Sequence, residues 1–222
     1  MNLRLALFLT LGGVSACLAA DRSPEGPGNL FIHEKTSGFE PFKAAFNAQK
    51  ENLKSHGFSA YSLHRDLKDS RSFILTLKCS NLKSAVDFIQ SPAFQSAMRK
   101  GGVKESVLWE GLDAKGRAYA DRLHPKGGIV IARNEVKSYK FWKQCFDAEG
   151  KHQHANRGYQ ASRYSIHYLL ANPEVAYVVH EASDVSKAPA FMTSDHMKGI
   201  MEATGVTRID IWYGINVEEG LF

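Results

Sequence analysis

The sequence predicts an α+β protein in which one structural unit of about 100 residues occurs twice in tandem. The first observation is a repeat: Tyr61-Ser62-Leu63-His64 recurs as Tyr164-Ser165-Ile166-His167, an offset of 103 positions (64 to 167), and the same offset places Trp109 on Trp212. The second is the order of strand-like and helix-like periodicity, which is β-α-β-β-α-β in each copy. The third is a composition of 44% hydrophobic and 23% charged residues, which is typical of globular domains.

Each element of the first copy has a local signal. Phe39, Phe42 and Phe46 recur at helical spacing, and Gly57 is placed to end their helix. Ser91-Pro92 interrupts the second helix, because Pro can restart a helix at its first position. The predicted elements are strand 30–34, helix 39–56, strand 60–66, strand 72–78, helix 82–100 and strand 105–111.

The second copy repeats this order. Its first helix aligns with that of copy one at an offset of about 100, which places Trp142 over Phe42 and Phe146 over Phe46. Its second helix is a candidate for the same interruption, near Thr193-Ser194. The predicted elements are strand 128–133, helix 138–156, strand 162–170, strand 175–181, helix 189–204 and strand 208–214.

This order is that of the ferredoxin-like split unit, a four-stranded antiparallel sheet with both helices on one face. The other face needs cover, which two such sheets provide when they pack together. We therefore expect a fused pseudo-dimeric α+β barrel, monomeric rather than an obligate oligomer. The expected segments are a signal peptide at 1–20, a linker at 21–28, repeat 1 at 29–113, a connector at 114–127 and repeat 2 at 128–217.

The N-terminus has the pattern of a secretory signal. A basic start at Arg4 precedes a short apolar run and a zone of small residues. Val14-Ser15-Ala16-Cys17 resembles a bacterial lipobox, in which case Cys17 would carry a lipid and hold the protein on a membrane. Cleavage after Ala19 or Ala20 would instead release a protein to the periplasm or beyond. The sequence leaves both routes open.

Charge and cysteine content limit the function classes. The net charge of +5 is spread among acidic residues without a basic cluster, so nucleic-acid binding is not expected. Cys79 and Cys145 could pair in an oxidising compartment or remain buried thiols. The chain has no CxxC and no His or Cys spacing of a recognised zinc site, so no metal is expected.

Longer motifs carry a family resemblance. They run from Phe141-Trp142 to Phe146-Asp147, and from Phe191-Met192-Thr193-Ser194 to Met201 and Gly205-Val206. Phe88 to Met98 and Gly101-Gly102-Val103 match the second of them in repeat 1. The chain resembles the dimeric α+β barrel superfamily, and is most similar to its antibiotic-biosynthesis-monooxygenase-like group. That resemblance implies the barrel fold and a range of activities, namely cofactor-independent oxygenases, haem enzymes, isomerases and binding proteins.

Two histidines at equivalent positions are candidate site residues. His64 and His167 could line the barrel interior as a general base, or as a ligand for haem or another metal. They could equally be buried, hydrogen-bonded structural histidines. Strand alternation places Ser62, His64 and Asp66 on one face but does not say which face meets the helices.

Three further side chains complete the candidate pocket. Trp109 and Trp212 could wall a site for a planar ligand or simply pack in the core. His180 replaces Leu77 of repeat 1, either at a core position or at an exposed strand end.

The sequence therefore favours an exported, small-molecule-binding barrel for which no cofactor is predicted. The alternatives are a cofactor-independent monooxygenase or haem-dependent oxidoreductase, and a non-catalytic module that binds another protein. If a pocket exists, we expect it to be asymmetric between the repeats.

Overall fold

A computed structural model describes residues 26–113, 127–153, 161–168, 172 and 174–222. Of residues 110–113, 147, 149–153 and 161–168 only the backbone is described. The signal peptide and Cys17, most of the linker and most of the connector lie outside these residues. None of the described helices is long and apolar enough to cross a membrane.

Repeat 1 has the predicted order of elements, with each helix divided in two. Asn81 caps α3 by accepting a hydrogen bond from the Ser84 amide, and Ser91 caps α4 in the same way through Phe94. Pro92 is the first residue of α4, as the sequence predicted. The elements are β1 (Gly28–Thr36), α1 (Phe39–Ala48), α2 (Lys50–Ser55), β2 (Phe58–Asp66), β3 (Ser72–Cys79), α3 (Leu82–Ile89), α4 (Pro92–Lys100) and β4 (Val103–Asp113).

Repeat 2 follows the same order. The interruption expected near Thr193-Ser194 is present, and Ser194 caps the helix that follows it. A short 3-10 turn, Val185–Lys187, precedes the first of these two helices. The elements are β5 (Gly128–Val136), α5 (Tyr139–Gln153), β6 (Ala161–Tyr168), β7 (Val175–Ala182), α6 (Ala188–Met192), α7 (Asp195–Ala203) and β8 (Val206–Leu221).

The strands close into one barrel in the order β1-β3-β2-β8-β5-β7-β6-β4. All of the strand pairs are antiparallel. β4 and β8 join the repeats: β8 pairs with β5 over its first half and with β2 over its second half, and β4 pairs with β1 and then with β6. The predicted fused α+β barrel is therefore confirmed.

The end of β8 differs from the sequence expectation. The strand was expected to stop at 214, but it continues to Leu221 and pairs with Ala60–Asp66 of β2. The continuation includes Glu218 and Glu219, which do not alternate in the manner of a half-buried strand. Its partner belongs to the other repeat, so no local pattern predicts the pairing.

Each strand has one face toward the helices and one toward the barrel interior. Leu30, Ile32 and Leu63 pack beneath the helices of repeat 1, together with Phe42, Phe46 and other buried apolar residues. Phe31, Ile74 and Tyr177 face the interior, where they pack with Trp109 and Trp212. His64 therefore faces the interior, since it alternates with Leu63.

Candidate functional site

The barrel interior is filled by aromatic side chains. The ring centroids of Trp109 and Trp212 lie 4.4 Å apart, so the two repeat-equivalent indoles contact each other. His33 stacks on Trp109, and Phe31 stacks on Tyr177. Trp109 is buried, as expected of a core residue. This geometry matches the core-packing interpretation of the two tryptophans, because the two indoles pack against each other.

His64 is a buried histidine in a tight site. Its ring Nε2 lies 3.0 Å from the Ser62 hydroxyl oxygen. Burial lowers the pKa of His64 to about 3, against a smaller opposing effect of Asn216, so the ring is neutral at ordinary pH. A Cβ at Gly214 would lie 2.6 Å from the Cβ of His64, so glycine is needed opposite it. This environment suits a structural histidine, because the ring is buried and lies within hydrogen-bond distance of Ser62.

His167 can be placed only by its backbone. It pairs with Tyr177 of β7 and with Asp113 of β4, just as His64 pairs with Ile74 and Asn216. The pseudo-twofold relation expected between the two histidines is thus present in the strand register. The side chain of His167 lies outside the described residues.

His180 lies on the opposite side of the sheet from these residues. It is 4% exposed, so it occupies a core position rather than an exposed strand end. It lines a cavity of about 50 Å³ between the sheet and the helices of repeat 2. The other lining residues are Ala132, Asn134, Trp142, Phe146, Val178, Met192, Met197, Ile200, Met201, Thr204, Val206 and Ile209. The structure therefore separates His180 from His64, Trp109 and Trp212.

Two helix-side core positions of repeat 2 have smaller side chains than their counterparts in repeat 1. Phe73 of repeat 1 is fully buried and stacks on Phe42, whereas repeat 2 has Ala176 at the equivalent position. Similarly, Ala132 stands where repeat 1 has Ile32. These larger groups belong to the packed helix-side core of repeat 1.

Loose packing of α7 also contributes to the cavity. No residue of this helix is buried, whereas its equivalent in repeat 1, α4, buries Phe94 and Met98. Met197 and Met201 of α7 are only partly buried against the sheet. The cavity therefore lies beneath a helix that buries none of its residues completely.

A few polar groups are set among the apolar walls. Asn134 is buried, and its side-chain amide donates to the Ala132 carbonyl oxygen at 3.2 Å. The Thr204 hydroxyl donates to the Ile200 carbonyl oxygen at 2.8 Å. His180 lies next to Phe146, with ring centroids 6.4 Å apart. An apolar pocket with a small number of polar groups is the usual form of a small-molecule site.

Asn134 and His180 lie well apart along the sheet. Asn134 pairs with Ala176 in the β5–β7 ladder, and His180 pairs with Val130. Their positions therefore differ by four residues along the β5–β7 ladder, which is about 13 Å at the usual rise per residue. The two polar residues therefore line different parts of the cavity wall.

Sequence reasoning identified His180 but missed Asn134 and Trp142 as cavity residues. A usable signal was present in the alignment of the repeats. Wherever repeat 2 replaces a large apolar residue of repeat 1 by a smaller or polar one, as at Ala132, Ala176 and His180, space or polarity enters the core.

The cavity does not fit haem. A pocket for a drug-sized ligand usually encloses roughly 300–1,000 Å³, against about 50 Å³ here. None of the described lining residues is Lys or Arg, which would be needed to neutralise the propionates. Among the described side chains there is also no group of three or more His, Cys, Asp or Glu that could hold a metal ion.

Cys79 and Cys145 are both free thiols in the structure. Cys79 is buried in repeat 1 and donates to the Gly28 carbonyl oxygen at 3.3 Å. Burial raises the pKa of its thiol to about 11, so it stays protonated. Cys145 is partly buried on α5.

Fold and site together define a fused α+β barrel with a cavity on the helix side of one repeat. The chain has the fold of the dimeric α+β barrel superfamily, as the sequence resemblance implied. A monooxygenase candidate from Lactobacillus acidophilus superposes with a TM-score of 0.59 at 12% identity, over 89% of this chain and 99% of that one. An anthrone oxidase-like protein superposes with a TM-score of 0.61 at 10% identity, over 89% and 94% of the two chains.

A mutant chlorite dismutase from Candidatus Nitrospira defluvii is also similar in structure. Its TM-score is 0.57 at 12% identity, over 88% of this chain and 93% of that one. At these identities the likeness concerns the fold alone. No protein-family model and no curated protein matches the sequence.

Proposed function

We propose that this protein binds a small molecule in the helix-side cavity of repeat 2, with repeat 1 as the filled, structural half. One observation carries the proposal. The same place in two copies of one unit is packed with phenylalanine and leucine in repeat 1, and is open and lined by His180 and Asn134 in repeat 2. Since cavities destabilise a core, an open one with polar groups suggests a use.

The lining indicates the class of ligand. Trp142, Phe146 and the three methionines present apolar and aromatic surface, so an apolar ring or short chain suits the walls. His180 and Asn134 add polar groups to these walls. Methionine side chains adapt easily to a ligand, so a cavity of about 50 Å³ can enlarge beneath α7. A small aromatic molecule with a hydroxyl or carbonyl group combines these features.

Phenol and benzene are suitable probes for saturation-transfer NMR. We expect transfer to phenol with the unmodified protein and loss of that transfer in Ala132→Ile, which installs the residue of repeat 1. Ala93→Phe, at an exposed position on α4, is the control and should bind as the unmodified protein does.

The proposal fails if folded Ala132→Ile binds phenol as well as the control does. Folding of each variant is checked by its thermal unfolding transition. Absence of transfer to both probes in the unmodified protein would also reject it.

A cofactor-independent oxygenase is the second candidate function. It is favoured by the imidazole of His180 beside aromatic walls. His180 could accept the hydroxyl proton of a phenolic substrate, and the resulting phenolate reacts more readily with oxygen. The similarity to a monooxygenase candidate and an anthrone oxidase-like protein adds to this case. We expect oxygen uptake with hydroquinone, reduced in His180→Leu. Uptake that is equal in both proteins would contradict this role for His180.

A further inference from the structure

Sulfur is concentrated in the walls of the cavity. The chain has five methionines, and Met192, Met197 and Met201 line the cavity with His180. Met197 and Met201 are one turn apart on α7 and therefore share a face. Met192, at the end of α6, belongs to the same packed cluster. Met192, Met197, Met201 and His180 thus all line one cavity of about 50 Å³.

The equivalent positions in repeat 1 contain one sulfur only. They are Ile89 for Met192, Phe94 for Met197, Met98 for Met201 and Leu77 for His180. Methionine often fills irregular gaps in a core, which could explain the thioethers alone. It does not explain an imidazole at the position of Leu77. Three replacements of hydrocarbon by a metal-ligating group coincide in one cavity.

These ligands select for a soft metal ion. Thioethers and imidazole suit Cu(I), whereas Mg²⁺ and Ca²⁺ require oxygen ligands. No Asp or Glu is among the described lining residues. A singly charged ion also costs less to bury than a doubly charged one. Sequence spacing gave no hint of this site, because thioether ligands have no recognised spacing.

We propose that the cavity binds one Cu(I) ion through the sulfurs of Met192, Met197 and Met201 and a ring nitrogen of His180. Imidazole has two ring nitrogens, so one can ligate while the other keeps a hydrogen bond. The site rests on the cavity of the proposed function and names a second class of ligand for it. Copper and phenol should therefore compete.

The test is an anaerobic titration with Cu(I) against bathocuproine disulfonate. It uses the whole protein with Cys17→Ser and Cys145→Ser, because thiolates bind Cu(I) strongly. Cys79 stays in place, since it is buried and protonated. The methionine ε-methyl groups are followed by ¹H–¹³C NMR and assigned with single Met→Leu variants.

We expect one equivalent of Cu(I) to shift the ε-methyl signals of the three cavity methionines and to leave that of Met98 in place. His180→Leu and Met197→Leu should each lower the affinity at least tenfold. Met98→Leu removes a methionine from the filled core and is the matched control, with unchanged affinity expected. Unmoved cavity methyl signals, or equal affinity in all three variants, would overturn the proposal.

Phenol binding by the same samples separates this proposal from the proposed function. Phenol binding without Cu(I) binding would overturn the copper site and leave the small-molecule site standing. Failure of both ligands would reject the cavity as a binding site.

Discussion

At the scale of single residues, the two repeats differ mainly in the size of a few core side chains. Phe73 lies between Phe39 and Phe42, with ring centroids 5.3 Å from each, and is fully buried. Repeat 2 has Ala176 in its place and retains an open cavity nearby. The stability of the barrel should therefore depend more on the core of repeat 1.

Phe73→Ala should lower the free energy of unfolding by about 3–5 kcal/mol, because a large buried ring is removed and its space is not refilled. Phe141→Ala is the control, since Phe141 is 51% exposed and should change little. Urea unfolding followed by circular dichroism measures both. Equal, small losses would contradict the packing described for repeat 1.

Glu34 is a buried carboxyl group at the position that Asn134 occupies in repeat 2. The Ser106 hydroxyl donates to its Oε1 at 3.2 Å, and in the described part of the chain its Oε2 has no partner. Burial raises the pKa of Glu34 from 4.5 to about 8. The folded protein therefore keeps a proton that the unfolded chain loses.

This proton makes stability fall as pH rises from about 4.5 to about 8. His64 acts in the opposite sense, because its contribution is lost as pH falls from 6.5 toward 3. Glu34→Gln should remove the first effect. The free energy of unfolding of this variant, relative to that of the unmodified protein, should therefore be higher at pH 8.5 than at pH 5. Urea midpoints at both pH values measure this. A stability difference that does not change with pH would contradict a protonated Glu34.

At the scale of elements, the end of β8 ties the two repeats together. Glu218 accepts hydrogen bonds from Tyr61 and Lys50, at 2.6 Å and 3.3 Å, and forms an ion pair with Lys43. Tyr61 belongs to β2, while the two lysines lie on α1 and α2. The end of β8 thus contacts β2, α1 and α2 of repeat 1.

Truncation after Val217 should remove the pairing of β2 with the end of β8. We expect faster amide exchange in Ala60–Leu63 and a lower unfolding temperature, because the hydrogen bonds of β2 to that strand end are lost. Glu218→Gln keeps the strand and should give a smaller effect. Unchanged exchange in Ala60–Leu63 after truncation would contradict the closed barrel.

The elements also mark how far the sequence can predict this fold. Helical spacing of Phe42 and Phe46, and the Ser91-Pro92 cap, are local signals, so the order of elements follows from them. The pairing of Glu218 with Leu63 joins distant parts of the chain and has no local signal. The cavity is harder still, because His180 becomes meaningful only beside Asn134, Trp142 and the methionines of two other helices.

At the scale of the whole molecule, Cys17 is the candidate residue for attachment to a membrane, and it lies outside the described residues. We propose that the protein is exported and that Cys17 is lipidated. Cys17→Ser should then move the protein from the membrane fraction to the soluble fraction of the producing bacterium. Mass spectrometry of the N-terminus checks the modification. The same partition for both proteins would reject lipidation and favour cleavage after Ala19 or Ala20.

The asymmetry between the repeats is the central claim for the whole barrel, and xenon tests it most directly. Small apolar cavities bind xenon, whereas filled cores do not. A crystal of the protein under xenon pressure should contain a xenon atom between the sheet and α7, near Met197 and Val178, and none beneath the helices of repeat 1. Xenon in both repeats, or in repeat 1 alone, would contradict the assignment of the site to repeat 2.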